Sequence, residues 1–520
     1  MNKTQEILKQ TIEKGFLLDK SILDYLTSLE NLEYNLILNL FFHLNLEKKL
    51  INKQNLEKIS NNISKNLKFK ENPELFIQFF NFLEINLELN LKNEENKKIE
   101  SKNEDKTSKN FKVLFSPTIL PKKISVQDFV SHFRARYNQL KSILMEKNLE
   151  DLKSIRKIGN ERGNYSIIVS IIDKKTTKNG NILLTVEDLN GTASVLAAKT
   201  KEDVFLKASE VLLDEVVALN VSGNSEFLFL NDIIYPDTSI YEKKRLPIEE
   251  SIAFISDIHV GSNMFYEKNF LKFIKWLNGE EGDEEQRKIA KKVKYLLIIG
   301  DTVDGVGVFP DQEKFLELKD IKLQYKKLAE ILSLIRKDVE IIISPGQHDA
   351  VWVGEPQPII GEEWAPELFE MENVTLVTNP AMIEIQNSFK ILMYHGASMH
   401  GIIEEIEDIR LNYGHKSPTR VVKEMLKRRH LSPMHGLCDY VPNETQDMMV
   451  INQIPDLVCT GDQHRTEISS YNNILLVSSS CWQAKTPFEE KVGNEPDPCK
   501  VPIYNLKTRE VKILDFSSDE

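Results

Sequence analysis

The stretch that decides the fold is YLLIIGDTVDGVG, Tyr295–Gly307. The apolar run Tyr295–Ile299 stops at Gly300 and Asp301. A short run rich in Leu and Ile, bounded by Gly and Asp, reads as a buried strand. The spacing therefore predicts that the Asp301 carboxylate stands at the C-terminal edge of a strand. Open α/β sheets hold their ligands at that edge.

The pattern recurs, five times in all. IAFIS leads to Asp257 and His259, and EIIIS leads to the PGQHD loop, Pro345–Asp349. KILMY leads to His395 and Gly396, and DLVCT leads to GDQH, Gly461–His464. Each apolar run delivers an Asp, a His or an amide into the loop just past it. One Gly-Asp after a strand is an ordinary turn, and one histidine is ordinarily a core or loop residue. The repetition is what points to a single assembled site. Asp and neutral His suit hard or borderline divalent cations, Mn²⁺ or Mg²⁺ first, with Fe²⁺ or Zn²⁺ as alternatives. Asp257 and His259 are two apart, and period-2 alternation is expected to put both on one side of an extended strand. With an Asp bridge and later His ligands, the set predicts a two-metal phosphoesterase site, which drives in-line attack at phosphorus.

Outward from these motifs, 520 residues is too long for one core, so two to four domains are expected. A net charge of −12 argues against a free-standing, strongly basic nucleic-acid binder. Nucleic acid held through metals or a partner remains open. Cys438, Cys459, Cys481 and Cys499 show no CxxC spacing, so a reduced, cytoplasmic chain without a zinc site is expected. The polar, helical N-terminus does not read as a signal peptide. No apolar run reaches the ~20 residues a membrane helix needs.

Residues 1–90 carry Leu, Ile and Phe at three- and four-residue spacing, as in Phe76, Phe79, Phe80 and Leu83, and predict a small helical N-terminal domain. Residues 91–115, mostly Lys, Glu, Asn and Ser, predict a disordered charged linker. Residues 116–160 predict a helical connector, with Phe129, Phe133, Tyr137, Leu140 and Leu144 at helical spacing. Over 161–245 the period changes to five short strands, with a helix, Glu202–Leu212, between the third and fourth. That is the order of an OB-fold barrel. Such barrels stack single-stranded bases on aromatics. Here the strands offer little beyond Tyr165, Phe227 and Phe229, so a structural or interface barrel is as well supported as a DNA-gripping one. Residues 250–520 form the α/β domain that carries the five motifs.

The arrangement resembles the calcineurin-like metallophosphoesterase superfamily. The strings SDIHVGS, GDTVDGVGVFP, PGQHDA, YHG, LKRRHLSP and WQAKTPFEEKVGNEPDPCKVPIYNL are closer still to the small-subunit family of the archaeal family D replicative DNA polymerase. The resemblance covers roughly residues 120–516. It implies a multidomain α/β chain in which a β-sandwich flanked by helices is preceded by the OB barrel and the helical N-terminal domain. It implies a 3′→5′ proofreading exonuclease that serves a large catalytic polymerase subunit, acts on single-stranded or mispaired 3′ ends of DNA, and meets the sliding clamp through the holoenzyme. No membrane is implied. By motif, Asp257, His259, Asp301 and His464 would hold one metal. Asp301 would bridge to a second, held also by Gln347, His395 and Asp462. His348 would be the general acid.

The superfamily usually has Asn at Gln347 and His at Asp462. Both departures fall on the second metal, and the added carboxylate favours Mg²⁺ or Mn²⁺ over softer ions. An inactive scaffold, or another metallophosphoesterase, are the rival readings. Arg428 and Arg429, in the basic stretch Met425–Gly436, are candidates for contact with DNA phosphate or the large subunit. His400, His415, His430 and His435 lie outside the five motifs and are expected to be structural or surface residues.

Overall fold

The computed structural model describes residues 3–29, 34, 37–38, 50–51, 56, 110–118 and 123–517. It divides into two compact units, Met1–Lys109 and Asn110–Glu520. In the first, helices Lys3–Glu13 and Lys20–Ser28 bury Ile7, Ile22 and Leu26. Leu17–Leu18 pairs in parallel with Leu50–Ile51. The rest of the helical region expected over 1–90, and the linker expected over 91–109, lie outside the described residues.

The second unit contains two six-stranded sheets packed face to face. In the first sheet, Val374–Leu376, Glu340–Ser344, Val293–Ile299 and Ser251–Ile255 run parallel, and Lys500–Asn505 and Val511–Asp515 complete it antiparallel. In the second, Phe389–Met393, Leu457–Thr460 and Ile474–Ser478 run parallel, flanked by Glu467–Tyr471 on one side and Ala381–Ile385 on the other.

Alternation along Val293–Ile299 explains the layering. Leu297 and Ile299 meet Ile391, Met393, Leu457 and Cys459 of the other sheet. Leu296 and Ile298 face the opposite way, onto Phe270 and Ile274 of helix Glu267–Leu277 and Leu328 and Leu332 of helix Ile321–Leu332. The outer face of the second sheet buries Leu392, Val458 and Leu476 against Ile402, Val422 and Leu426, which come from helices Met399–Glu405 and Pro418–Arg428. A strand buried on both faces cannot show polar alternation, which is why these strands read as unbroken apolar runs.

One boundary differs from the sequence reading. Phe111–Phe115, assigned to the charged linker, is the edge strand of the second sheet and pairs with Ala381–Ile385. The preceding Lys and Glu residues hid an FKVLF string whose Phe111 is buried between the sheets.

Helix Val126–Met145 follows. Five strands then close into a barrel in the order Gly163–Thr176, Ile182–Asp188, Gly191–Ala197, Leu228–Ile234, Val216–Gly223. Helix Glu202–Glu210 lies between the third and fourth strands in the chain. The long helix ties barrel to sandwich. Its Tyr137 hydroxyl donates to the Ile168 carbonyl at 2.8 Å, and its Arg136 donates to Asp447 Oδ2 at 2.6 Å. Among the described residues, no helix is long and apolar enough to cross a membrane.

Candidate metal centre

The loops that follow five central strands converge at one edge of the sandwich. Asp257, His259, Asp301, Gln347 and His348 come from the first sheet, and His395, Asp462 and His464 from the second. Asp257 and His259 do not continue an extended strand, as alternation suggested. The strand ends at Ile255, and the two residues have φ of 51° and 53°. Asp301, Asp462 and His464, at 48°, 63° and 54°, share that left-handed geometry, which residues other than glycine seldom adopt. An extended strand sends alternate side chains to opposite faces, whereas a kink at each ligand position turns them into one space. Backbone bonds hold the kinked loops together, with Asp257 N donating to the Gly300 carbonyl at 3.0 Å and His259 N to that of Asp301 at 3.1 Å.

Two glycines are needed at close approaches. A Cβ on Gly346 would lie 2.2 Å from Asp301 Oδ1 and 2.7 Å from His395 Nε2. Gly300, at φ +79°, has the His395 ring where its Cβ would be.

Among the described residues, three groups of acids and histidines bring one ligand atom each to within 4.8 Å of one another. They are Asp257–His259–His464, Asp257–Asp301–His395 and His259–Asp304–His348. Each histidine has Nδ1 near an oxygen. That of His395 is 2.8 Å from the Ile299 carbonyl, and that of His464 is 2.8 Å from Glu489 Oε1. That of His348 is 2.7 Å from the Asp304 carbonyl, and that of His259 is 3.2 Å from Asp304 Oδ1. A carbonyl can only accept, so the proton of His395 belongs on Nδ1 and its Nε2 presents a lone pair to the site.

The Nε2 atoms of His259 and His464 face each other at 3.4 Å. His395 Nε2 is 3.3 Å from Asp301 Oδ2 but lacks hydrogen-bond geometry, and both it and Gln347 Oε1 are buried polar atoms without a hydrogen-bond partner. Buried polar atoms are rarely left in that state. A set of carboxylates, a carbonyl oxygen and imidazole lone pairs fits divalent cations.

Burial pushes the His395 imidazole down, but Asp301, Asp257 and Asp462 outweigh it and raise it well above the ordinary value, so Nε2 carries a second proton that a cation there would displace to free the lone pair. Burial would raise Asp462, but His400 and His395 hold it down to about 2. Asp462 Oδ1 accepts from Gln347 Nε2 at 3.1 Å, and Asp462 Oδ2 lies 3.2 Å from His400 Nε2.

His400 is therefore no bystander, contrary to the sequence reading, and it lines the cleft. Asp304 and Glu489 were also missed. Both sit inside the quoted strings, but neither directly follows an apolar run. His415 lies beside His400, and His430 is buried against Asp447 at 2.9 Å. The cleft has a volume of about 570 Å³ and takes in Phe309 and Lys491 as well as His259, Asp301, Gln347, His348, Asp462 and His464.

Arg428 and Arg429 are not available to DNA phosphate, nor to a partner's surface. They are 2% and 5% exposed. Arg428 donates to Glu215 Oε2 at 2.6 Å, to Glu424 and to the Glu210 carbonyl. Arg429 donates to the carbonyls of Ile451 and Asn452. A helical spacing of basic residues gave no sign that the acidic partners of Arg428 lay beside the barrel and on the same helix, or that Arg429 would be taken up by backbone carbonyls.

The family profile for the B-subunits of DNA polymerases alpha and epsilon matches residues 252–469. The DNA polymerase II small subunit of Methanothermobacter thermautotrophicus is 34% identical over 395 residues, which cover 75% of this chain and 80% of that one. Its counterpart in Archaeoglobus fulgidus is 38% identical over 73% of this chain and 75% of its own. Against the Pyrococcus furiosus protein of the same name, identity is 36% over 76% of this chain but only 64% of the relative's length. A solved structure titled "Structural and Functional Characterization of a Novel Archaeal Phosphodiesterase" aligns over 51% of this chain and 98% of its own, at 15% identity and a TM-score of 0.25. By its kinship with relatives it matches over most of their length, the chain belongs to the DNA polymerase II small-subunit family, that of the archaeal family D polymerase.

Proposed function

We propose that this chain is the 3′→5′ proofreading exonuclease of its polymerase, hydrolysing DNA phosphodiesters at a two-metal site. The observation that carries the reading is a pair of buried polar atoms without partners, His395 Nε2 and Gln347 Oε1, together with the Nε2 atoms of His259 and His464 turned toward each other at 3.4 Å. Asp257, His259, Asp301 and His464 would hold one cation, and Asp301, Gln347, His395 and Asp462 would hold the other. Divalent ions bound there would lower the pKa of a water and neutralise charge on the phosphate.

The protein's own residues set the geometry. Glu489 and the Ile299 carbonyl fix the rings of His464 and His395. His348 Nδ1 is held at the Asp304 carbonyl, and its backbone N–H donates to Asp301 Oδ1 at 2.9 Å, so its Nε2 faces the site. Water attacks phosphorus in line, the P–O3′ bond breaks, and His348 delivers a proton from Nε2 to the departing 3′ oxygen. The attacking water loses a proton to solvent. The products are a nucleoside 5′-monophosphate and a strand one nucleotide shorter with a free 3′ hydroxyl. The barrel is an OB fold used for docking. The partner is a large catalytic subunit, and the clamp is reached through it.

A silent scaffold is the second reading. It draws on the Gln347–Asp462 hydrogen bond, through which the two departures from the superfamily pattern partly satisfy each other. A 5′-labelled oligonucleotide decides between them. A descending ladder in Mn²⁺ or Mg²⁺, abolished by chelator, is expected. An intact oligonucleotide with every divalent ion would leave only the scaffold.

A further inference from the structure

The loop after Asp304 exposes an unusual run of apolar residues beside the metal centre. Val306, Val308 and Phe309 are 48%, 40% and 41% exposed. The loop is nevertheless pinned from within. Gln312, 1% exposed, donates through Nε2 to the Asp304 carbonyl at 2.7 Å and to Asp304 Oδ2 at 2.9 Å, while its Oε1 accepts from Val308 N at 2.9 Å. Gln324, fully buried, clamps the N–H and carbonyl of Gly305 at 2.9 and 3.0 Å. Two buried amides thus fix a loop whose outward side chains are apolar, and Asp304 ties it to His259 and His348. A platform that is rigid before binding loses little entropy when it binds.

We infer that Phe309 stacks on the base of the nucleotide that keeps the 3′ oxygen, the penultimate residue of the strand. The inference rests on the phosphodiester reading above. Its ring centre is 6.4 Å from that of His348, which protonates that oxygen, and so it lies on the leaving-group side of the phosphorus. Lys491 is the one Lys or Arg lining the cleft among the described residues, so backbone charge contributes little grip there. Stacking on an aromatic face holds any base, as a proofreader without sequence preference requires.

The test pairs two enzymes with two substrates. On an ordinary oligonucleotide, Phe309→Ala should lower kcat/KM roughly 10–100-fold, the loss expected for one stacked base. Phe309→Trp should restore it. On an oligonucleotide with an abasic penultimate residue, wild type and Phe309→Ala should be equal. An equal deficit on both substrates would overturn the inference. A second readout needs no hydrolysis. 2-Aminopurine at the penultimate position, without divalent ion, should be quenched by the full-length wild type and not by Phe309→Ala. A response only at the terminal position, or one unchanged in the variant, would also overturn it. Wild type that cuts neither substrate would instead refute the phosphodiester reading, and the fluorescence would still report on stacking.

Discussion

Asp301 and His348 approach within 4.0 Å yet have separable duties. Asp301 belongs to the ligand set of both proposed ions, so Asp301→Ala should abolish hydrolysis and lower metal content at both positions. His348→Ala should leave metal content intact and slow the reaction by about 10²–10⁴-fold, the usual loss of a general acid. Metal analysis beside single-turnover rates checks the pair, and equal metal loss in both would refute the division. The eight strand-end residues were legible because each follows an apolar run in a parallel sheet, where position along the chain predicts position in space. Glu489 and His400 were not. Each reaches the site from a helix rather than from the end of a strand, and nothing local marks a residue whose partner lies 25 or 62 positions away. Their roles depend on tertiary contacts alone.

Between elements, buried charge joins barrel to sandwich. Arg428, at the end of helix Pro418–Arg428, meets Glu215, just before strand Val216–Gly223. Replacing Arg428 by Met would leave Glu215 buried and uncompensated, so a loss of about 3–5 kcal/mol in unfolding free energy is expected. Denaturant titration measures it, and a change below 1 kcal/mol would contradict the strut. His430 makes a pH-dependent joint. Burial, then Arg136, depress its pKa from 6.5 to about 4. A depressed folded-state value means that its stability contribution is intact above pH 6.5 and is lost as pH falls from there to about 4. The full loss is of order 3 kcal/mol. Unfolding free energies of wild type and His430→Gln across that window should diverge by this amount, and parallel curves would dismiss the effect. Element order in the barrel was readable from turns and alternation. The edge strand Phe111–Phe115 was masked by its charged neighbours, and the two arginines looked like surface because helical spacing does not report what an exposed-seeming face packs against.

For the molecule as a whole, a net charge of −12 and a cleft with few cations predict weak DNA binding by this chain alone. Adding a large catalytic subunit should tighten binding and steepen its salt dependence, because the partner's phosphate contacts release counterions. Affinity across a salt series, with and without the partner, checks this. Tight binding by the isolated chain with no gain from the partner would refute it. The candidate metal centre draws its side chains from both sheets, Asp257 and Asp301 from one, His395 and His464 from the other. It therefore behaves as a vernier between two scales. A slide of one sheet against the other by a fraction of an ångström would leave every ligand in place on its own strand and still spoil the match. Displacements near 1 Å can cost about 10²-fold in rate. A subunit gripping either outer face would then have a mechanical handle on the tempo of the proposed hydrolysis without ever touching the chemistry.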